Sequence, residues 1–193
     1  VKGGYNTMDY PTAQGTLTGL PVDGGTTTSF TATGKKDKMV GDLHVAYLWP
    51  LADVFQLGAQ LGYSYYGKYT MTGTGSSSGT ETIKTGAFNL QLVGQWNIQQ
   101  WFIQARAGAG YFHQSASNSN LVSNDGDTLS SASETKNTTL PIAGASVGYF
   151  FTDNFSGEIF ADHVFGKNYS NMDDIQNKPP AMTSAGLGIT YSF

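Results

Sequence analysis

The sequence predicts an all-β fold, an eight-stranded antiparallel up-and-down β-barrel that crosses a membrane. Three observations predict this fold. Eight segments alternate apolar residues with small or polar ones, the connections between them are alternately long and short, and the aromatic residues gather near the segment ends. An antiparallel meander with this rhythm has all its long loops at one end and all its short turns at the other.

The eight predicted strands follow one another without a helical pattern between them. In residues 54–70, for example, the odd positions from Phe55 to Tyr65 are apolar and the even ones are Gln, Gly or Ser. Pro141 cannot donate a ladder hydrogen bond, so we expect a β-bulge near it. The strands are residues 1–10, 38–49, 54–70, 82–98, 101–114, 138–151, 155–166 and 181–193.

The connections alternate in length along the chain. The short ones are tight turns at residues 50–53, 97–100 and 152–154. The long ones are polar segments, several of them rich in Gly, Ser and Thr, at residues 11–37, 71–81, 115–137 and 167–180. Both chain ends therefore lie at the short-turn end of the barrel.

Composition bounds the class of protein. A length of 193 residues suits one domain, residues 1–193, and a charged fraction of 12% is about half the usual share. The net charge of −4 argues against a general nucleic-acid binder, and the absence of Cys removes disulfides and thiolate metal sites. No apolar run is long enough for a transmembrane helix. Because no signal peptide is present, we expect Val1 to be a mature or trimmed start.

The face that points inward distinguishes a membrane barrel from a soluble one such as a lipocalin, whose apolar residues point inward. An eight-stranded barrel encloses only enough space for side chains. The Gly, Ser, Gln and Asn face suits a hydrogen-bonded polar interior, and the apolar face suits lipid. Two aromatic belts favour the membrane. Their residues are Trp49, Phe55, Trp96, Trp101, Phe151, Phe155 and Phe193 near the short turns, and Tyr63, Tyr65, Tyr111 and Phe165 towards the long loops.

The last segment, residues 181–193, ends the chain in an aromatic residue, Phe193, with Tyr191 two positions before it. This pattern resembles the C-terminal strand of bacterial outer-membrane barrels, and the whole chain resembles the small OmpA/OmpX-like eight-stranded family. The resemblance implies a location in the bacterial outer membrane, short periplasmic turns and long extracellular loops. It also implies that Tyr191 and Phe193 form a signal for the barrel-assembly machinery. Because an eight-stranded barrel can close without a partner, we expect a monomer.

Charged residues on the inward face predict an ionic network near mid-height. Arg106 is the sole Arg of the chain, and an unpaired guanidinium in so narrow a space would be costly, so we expect it to pair with a carboxylate. The network then either plugs the lumen or lines a narrow, cation-preferring channel whose conductance His44 would make pH-dependent. Its predicted members are Asp42, His44, Arg106, Glu158 and Asp162.

Lysines concentrate in the long loops and the strand ends beside them. Such a rim of cations suits the phosphates of lipopolysaccharide in the outer leaflet. Alternatively, Lys is simply excluded from the lipid face and the narrow lumen. The candidate phosphate contacts are Lys35, Lys36, Lys38, Lys68 and Lys84.

Catalysis and metal binding find little support in the sequence. Some small barrels modify lipid A with His, Ser and an acidic residue, but no spacing here predicts that these three meet, and His113 and His163 fall on the lipid face. The Asp residues of the long loops do not match a calcium loop. We therefore expect a non-enzymatic protein without cofactor or metal, whose surface loops serve envelope structure, adhesion or contact with a host or surface ligand.

Overall fold

The computed structural model describes residues 1–8, 30–36, 38–75, 78–122, 128–129, 133–166 and 179–193. The described residues form ten strands in one sheet, and none of them lies in a helix able to cross a membrane. The strands are β1 (Lys2–Met8), β2 (Phe30–Lys36), β3 (Met39–Ala52), β4 (Phe55–Gly75), β5 (Ser78–Ile98), β6 (Trp101–Val122), β7 (Thr128–Leu129), β8 (Ser133–Phe150), β9 (Phe155–Val164) and β10 (Met182–Tyr191).

Eight of these strands close the barrel. They follow one another in the order β1, β3, β4, β5, β6, β8, β9 and β10, and β10 pairs with β1. Every neighbouring pair is antiparallel. The predicted eight-stranded antiparallel barrel is confirmed.

The outer wall of the barrel is apolar, as the alternation predicted. Large side chains such as Leu43, Leu90 and Ile159 are exposed on it, while their chain neighbours point inward. A soluble protein rarely exposes so extensive an apolar surface, whereas a barrel in lipid requires one. Trp49, Trp96 and Trp101 are likewise exposed near the short turns.

The strands of one side run well past the barrel wall. A membrane crossing needs about 9–11 residues of strand, but β4, β5 and β6 have 21, 21 and 22 residues. β2, β4, β5, β6 and β8 continue as a paired sheet at the long-connection end, with β7 paired to β6.

The loop boundaries predicted at 11–37, 71–81 and 115–137 are therefore wrong for residues 30–36, 71–75, 78–81, 115–122, 128–129 and 133–137, which lie in strands. Their Thr- and Ser-rich stretches form cross-strand pairs, and Thr favours strands because its Cβ is branched. The rest of these three predicted loops lies outside the described residues. The fourth predicted loop, 167–180, lies outside the described residues up to position 178.

A β-bulge in β4 changes which residues face inward. Tyr65 pairs with Gly86 and Lys68 pairs with Lys84, so Tyr66 and Gly67 together lie opposite one residue of β5. Gly67 has a φ of 95°, a conformation that residues with a Cβ rarely adopt. After the bulge Tyr69 is buried inside the barrel and Lys68 is exposed outside it, the reverse of simple alternation.

Substituting Gly67 tests the importance of this bulge. Gly67→Ala should lower the free energy of unfolding by about 1–2 kcal/mol, because an L side chain strains the backbone at this φ. Urea unfolding of the refolded barrel in micelles measures the change. Gly41→Ala is the matched control, since no atom lies within 4 Å of the added Cβ. Equal effects at the two positions would contradict a conformational role for Gly67.

The bulge expected near Pro141 is absent. The β6–β8 register is continuous from Trp101 paired with Tyr149 to Ser117 paired with Ser133. The β8–β9 ladder begins at Ile142, and the carbonyl oxygen of Pro141 accepts a hydrogen bond from the Phe165 N–H at 3.0 Å. Pro141 thus lies just beyond that ladder, where the missing N–H removes no ladder bond.

The interior of the barrel has two unlike halves. Towards the short turns it is lined mainly by polar side chains, as the sequence predicted, although Val93 and Phe102 are also buried there. Towards the long connections it holds an apolar cluster, so the prediction of a polar filling throughout is wrong for this half. The cluster comprises Val40, Tyr66, Tyr69, Ile83, Ala87, Phe112, Leu140, Ile142, Val164 and Met182.

Candidate functional site

Arg106 is the centre of an ionic layer across the polar half of the interior. It points inward from β6 and is 3% exposed. Its Nη1 donates to Gln104 Oε1 at 2.7 Å, Ser146 Oγ at 3.2 Å and Glu158 Oε2 at 3.4 Å, and its Nη2 donates to Asp162 Oδ1 at 2.9 Å. One guanidinium thus joins side chains of β6, β8 and β9.

Gly144 makes the contact between Arg106 and Asp162 sterically feasible. It lies on β8 between the two, paired with Arg106 on one side and with Asp162 on the other. A Cβ at this position would collide with Asp162 Oδ1. The Asp162 carboxylate therefore crosses over an intervening strand because that strand carries no side chain there.

Lys2 is a second buried cation of this layer and was not among its predicted members. It is 3% exposed, and its Nζ lies 3.3 Å from Glu158 Oε1 and 5.2 Å from the centre of the Phe160 ring. Glu158 thus binds Lys2 and Arg106 through its two oxygens. The alternation of β1, in which Val1, Gly3 and Tyr5 face outward, was the signal that could have identified Lys2.

Asp42 and His44 form a separate group on β3. His44 Nδ1 lies 2.6 Å from Asp42 Oδ1, and Ser64 Oγ donates to Asp42 Oδ2 at 2.5 Å. Asn89 Nδ2 in turn donates to Ser64 Oγ at 2.6 Å. None of the ion pairs among the described residues joins Asp42 to Arg106, so the predicted network is divided into two groups.

This second group does bring a Ser, a His and a carboxylate together, contrary to the sequence analysis. The order of the contacts differs from that of a hydrolase. In a catalytic triad His lies between Ser and the carboxylate, so that it can accept the Ser proton. Here Asp42 lies between His44 and Ser64, and the Ser64 hydroxyl donates a hydrogen bond to the carboxylate. The arrangement lacks the contact between His and Ser through which a triad activates its nucleophile.

Amide side chains continue the polar lining towards the short turns. Gln60 donates to Gln91 at 3.4 Å, Gln104 donates to Gln95 at 3.1 Å, and Gln95 donates to Asn97 at 2.8 Å. Beside them lies a cavity of about 510 Å³, whose lining includes His44, Gln56, Phe102, Phe150 and Glu158. Its lining also includes Val1 and Tyr191 to Phe193, so it extends to the short-turn rim.

The remaining predicted site residues lie on the outer surface or outside the described side chains. Tyr191 ends β10 and packs against Phe155, with ring centres 5.0 Å apart, and Phe193 is fully exposed beyond it. Lys38, Lys68 and Lys84 are exposed at the long-connection end, with Lys38 Nζ 5.0 Å from the centre of the Tyr5 ring. The side chains of Lys35 and Lys36 are outside the described part of the chain.

Comparison with known proteins agrees with this geometry. Residues 26–193 match the family model of the OmpA-like transmembrane domain. The chain belongs to the OmpA-like transmembrane domain family. It is therefore a bacterial outer-membrane protein, with its short turns in the periplasm and its long connections outside the cell.

No curated protein sequence matches the chain significantly. Among solved structures, the outer membrane protease OmpT from Escherichia coli is similar at 14% identity and a TM-score of 0.49. The match covers 87% of this chain and 69% of that one.

Proposed function

We propose that this OmpA-like barrel is a non-enzymatic surface protein with a closed lumen. Its extracellular sheet and connections serve envelope structure, adhesion or contact with a surface ligand. The observation that carries the proposal is the double obstruction of the interior. The ionic layer around Arg106 lies across the barrel at mid-height, and the apolar cluster fills the half above it.

Closure by two unlike layers is a stable arrangement for this barrel. The apolar cluster contains Tyr66, Tyr69 and Phe112, whose rings occupy the space that water would need. Hydrated ions cross a hydrophobic constriction poorly, because they lose water without gaining a polar partner. In the ionic layer, on the periplasmic side of this cluster, the buried charges are paired with one another, so their burial does not favour opening of the lumen.

The barrel acts as a monomer in this proposal. β10 pairs with β1, so the barrel wall is complete and needs no second chain to satisfy its backbone groups in lipid. The extracellular sheet then presents its strands and connections to the surroundings of the cell. The Asp42-centred contacts among His44, Ser64 and Asp42 support a non-enzymatic role, because they lack the proton path of a hydrolase.

A narrow cation-preferring channel is the second candidate. The cavity at the periplasmic end favours it, and so do the inward carboxylates Asp42, Glu158 and Asp162, which outnumber the buried cations Lys2 and Arg106. This function requires the apolar cluster to move aside.

Single-channel recording in a planar bilayer distinguishes the two functions. A heat-dependent gel shift first verifies that each refolded sample is a barrel. We expect the wild type to show no steady conductance, and Phe112→Ala combined with the charge-compensated pair Arg106→Met and Asp162→Asn to show one. Tyr111→Ala, on the lipid face beside Phe112, is the control and should stay silent. A steady wild-type conductance that Glu158→Gln changes would establish the channel instead.

A further inference from the structure

Two lysines lie directly opposite each other on the outer face of the barrel. Lys68 of β4 pairs with Lys84 of β5, and both side chains are exposed. Like charges in directly opposed positions destabilise a sheet. Among the described residues, none of the ion pairs includes either lysine. The pair therefore forms a local excess of positive charge that an anion would relieve.

The bulge at Tyr66 and Gly67 is what brings this pair together. Without the extra residue, Lys68 would have the parity of Ser64 and Tyr66 and would point into the barrel. With it, Lys68 shares the outer face with Lys84, Phe88 and Leu90. A backbone conformation that glycine adopts readily, with φ of 95° at Gly67, thus places a cation beside another cation.

Three aromatic side chains, Tyr63, Phe88 and His113, form a shelf on the same outer face, nearer the centre of the membrane than the two lysines. Tyr63, Phe88 and His113 pack across three strands, with ring centres 5.0 Å apart for Tyr63 and Phe88 and 5.7 Å apart for Tyr63 and His113. The Tyr63 hydroxyl lies 3.2 Å from His113 Nε2. Gly86 permits this contact, because a Cβ there would collide with the Tyr63 hydroxyl.

The height of the pair matches the lipid headgroups. Phe88 and Lys84 precede the periplasmic belt residue Trp96 by eight and twelve positions on β5. With the usual strand rise and tilt, they lie about 20 Å and about 30 Å above that belt. The apolar band of outer-membrane barrels is about 25 Å tall. The shelf therefore lies inside the outer interface, and the lysine ammonium groups can reach back to the headgroup phosphates.

We propose that Lys68 and Lys84 together bind a phosphate group of the outer-leaflet glycolipid, the phosphorylated lipid A of lipopolysaccharide, with the Tyr63–Phe88–His113 shelf packing beneath its sugar and acyl chains. The two positive charges favour binding of a phosphate group, and the apolar surface of the shelf favours a lipid-linked phosphate over a free anion. The inference depends on insertion in the outer membrane and is independent of whether the lumen conducts.

Lipid binding tests the proposal directly. Refolded wild type, Lys68→Gln/Lys84→Gln and Lys38→Gln are titrated in zwitterionic micelles with lipid A, dephosphorylated lipid A and inorganic phosphate. We expect the double variant to weaken lipid A binding by about tenfold or more, and Lys38→Gln, an exposed lysine elsewhere on the same rim, to have little effect. Wild type should prefer lipid A to its dephosphorylated form and bind inorganic phosphate far more weakly.

Three outcomes of that titration overturn the proposal. They are equal binding by wild type and the double variant, an equal loss in Lys38→Gln, and binding of inorganic phosphate as tight as that of lipid A.

The effect of Lys84→Gln on stability, measured without and with lipid A, provides a second test, because the proposal predicts opposite signs in the two conditions. Without lipid A, Lys84→Gln should raise the urea midpoint of unfolding, because it removes a like-charge pair. With lipid A present, the same variant should have a lower midpoint than wild type, because it binds the stabilising lipid less tightly. Lys84→Arg, which keeps the charge, should follow wild type in both conditions. A Lys84→Gln effect of the same sign in both conditions contradicts the proposal.

Discussion

Arg106→Met should lower the free energy of unfolding of the barrel by about 3–5 kcal/mol, because it leaves buried carboxylates without their main cation. Arg106 binds Glu158 and Asp162 and is almost fully buried. The side chain of methionine fills a similar volume, so the loss reports charge and hydrogen bonding more than packing. Urea unfolding followed by Trp fluorescence measures it, since Trp residues lie at the rim.

A compensated variant separates charge from other causes. Removing one cation and one anion, with Arg106→Met and Asp162→Asn together, should recover most of the lost stability, because no buried carboxylate of this set then remains unpaired. Glu158 keeps Lys2 as its partner in this variant. If the double variant is as unstable as Arg106→Met alone, the ionic layer is not what stabilises this level of the barrel.

Phe112→Ala should be comparably destabilising, by about 3–5 kcal/mol, because it opens a cavity in a packed apolar cluster. Phe112 is 0% exposed, and its ring centre lies 5.5 Å from that of Tyr66. The same unfolding measurement applies. The cluster is enclosed by the barrel wall, so the surrounding side chains have little freedom to collapse into the space.

Tyr111→Ala is the matched control for this prediction. Tyr111 is the preceding residue of the same strand, but its side chain is 51% exposed on the lipid face. It removes an aromatic ring without making a cavity in the interior, so the loss should be clearly smaller. Equal losses at the two positions would mean that the interior cluster does not pack as a core.

The sequence predicted the fold well because the barrel wall has a simple periodicity. Each strand alternates between lipid and interior, so the apolar positions of β3 to β6 and β8 to β10 could be assigned directly. The inward position of Arg106 and Glu158 followed from the same parity. Their contact also depends on barrel closure, which a meander of eight strands implies.

The sequence did not reveal the apolar half of the interior. No strand contributes more than two residues to it, such as Leu140 and Ile142 of β8, and these are scattered among Gly, Ser and Gln. Only the registers of neighbouring strands gather them at one height. The bulge at Gly67 was hidden for a related reason, because a single extra residue reverses parity without changing composition.

Two other features, the ends of the long strands and the position of Lys2, were not predicted. The Thr- and Ser-rich ends of β4, β5 and β8 were predicted as loops, but they are paired strands, since pairing depends on the neighbouring strand more than on hydropathy. Lys2 was left out of the ionic layer although its parity pointed inward. Lys2 lies near the start of the chain, and it reaches Glu158 only because β1 pairs with β10 when the barrel closes.

The closed lumen is tested most directly by thiol labelling, because the chain contains no Cys of its own. Gln56→Cys places a thiol in the cavity at the periplasmic end, and Ala87→Cys places one in the apolar cluster. A charged, membrane-impermeant thiol reagent is added to intact cells and to cells with a permeabilised envelope. Thr72→Cys and Asp153→Cys, both at exposed positions, serve as the external and periplasmic controls.

We predict that Gln56→Cys reacts only when the reagent reaches the periplasm, and that Ala87→Cys reacts in neither preparation. The ionic layer and the apolar cluster then separate the cavity from the outside of the cell. Labelling of Gln56→Cys in intact cells, under conditions in which Asp153→Cys stays unlabelled, would show a continuous path through the barrel and contradict the closed lumen.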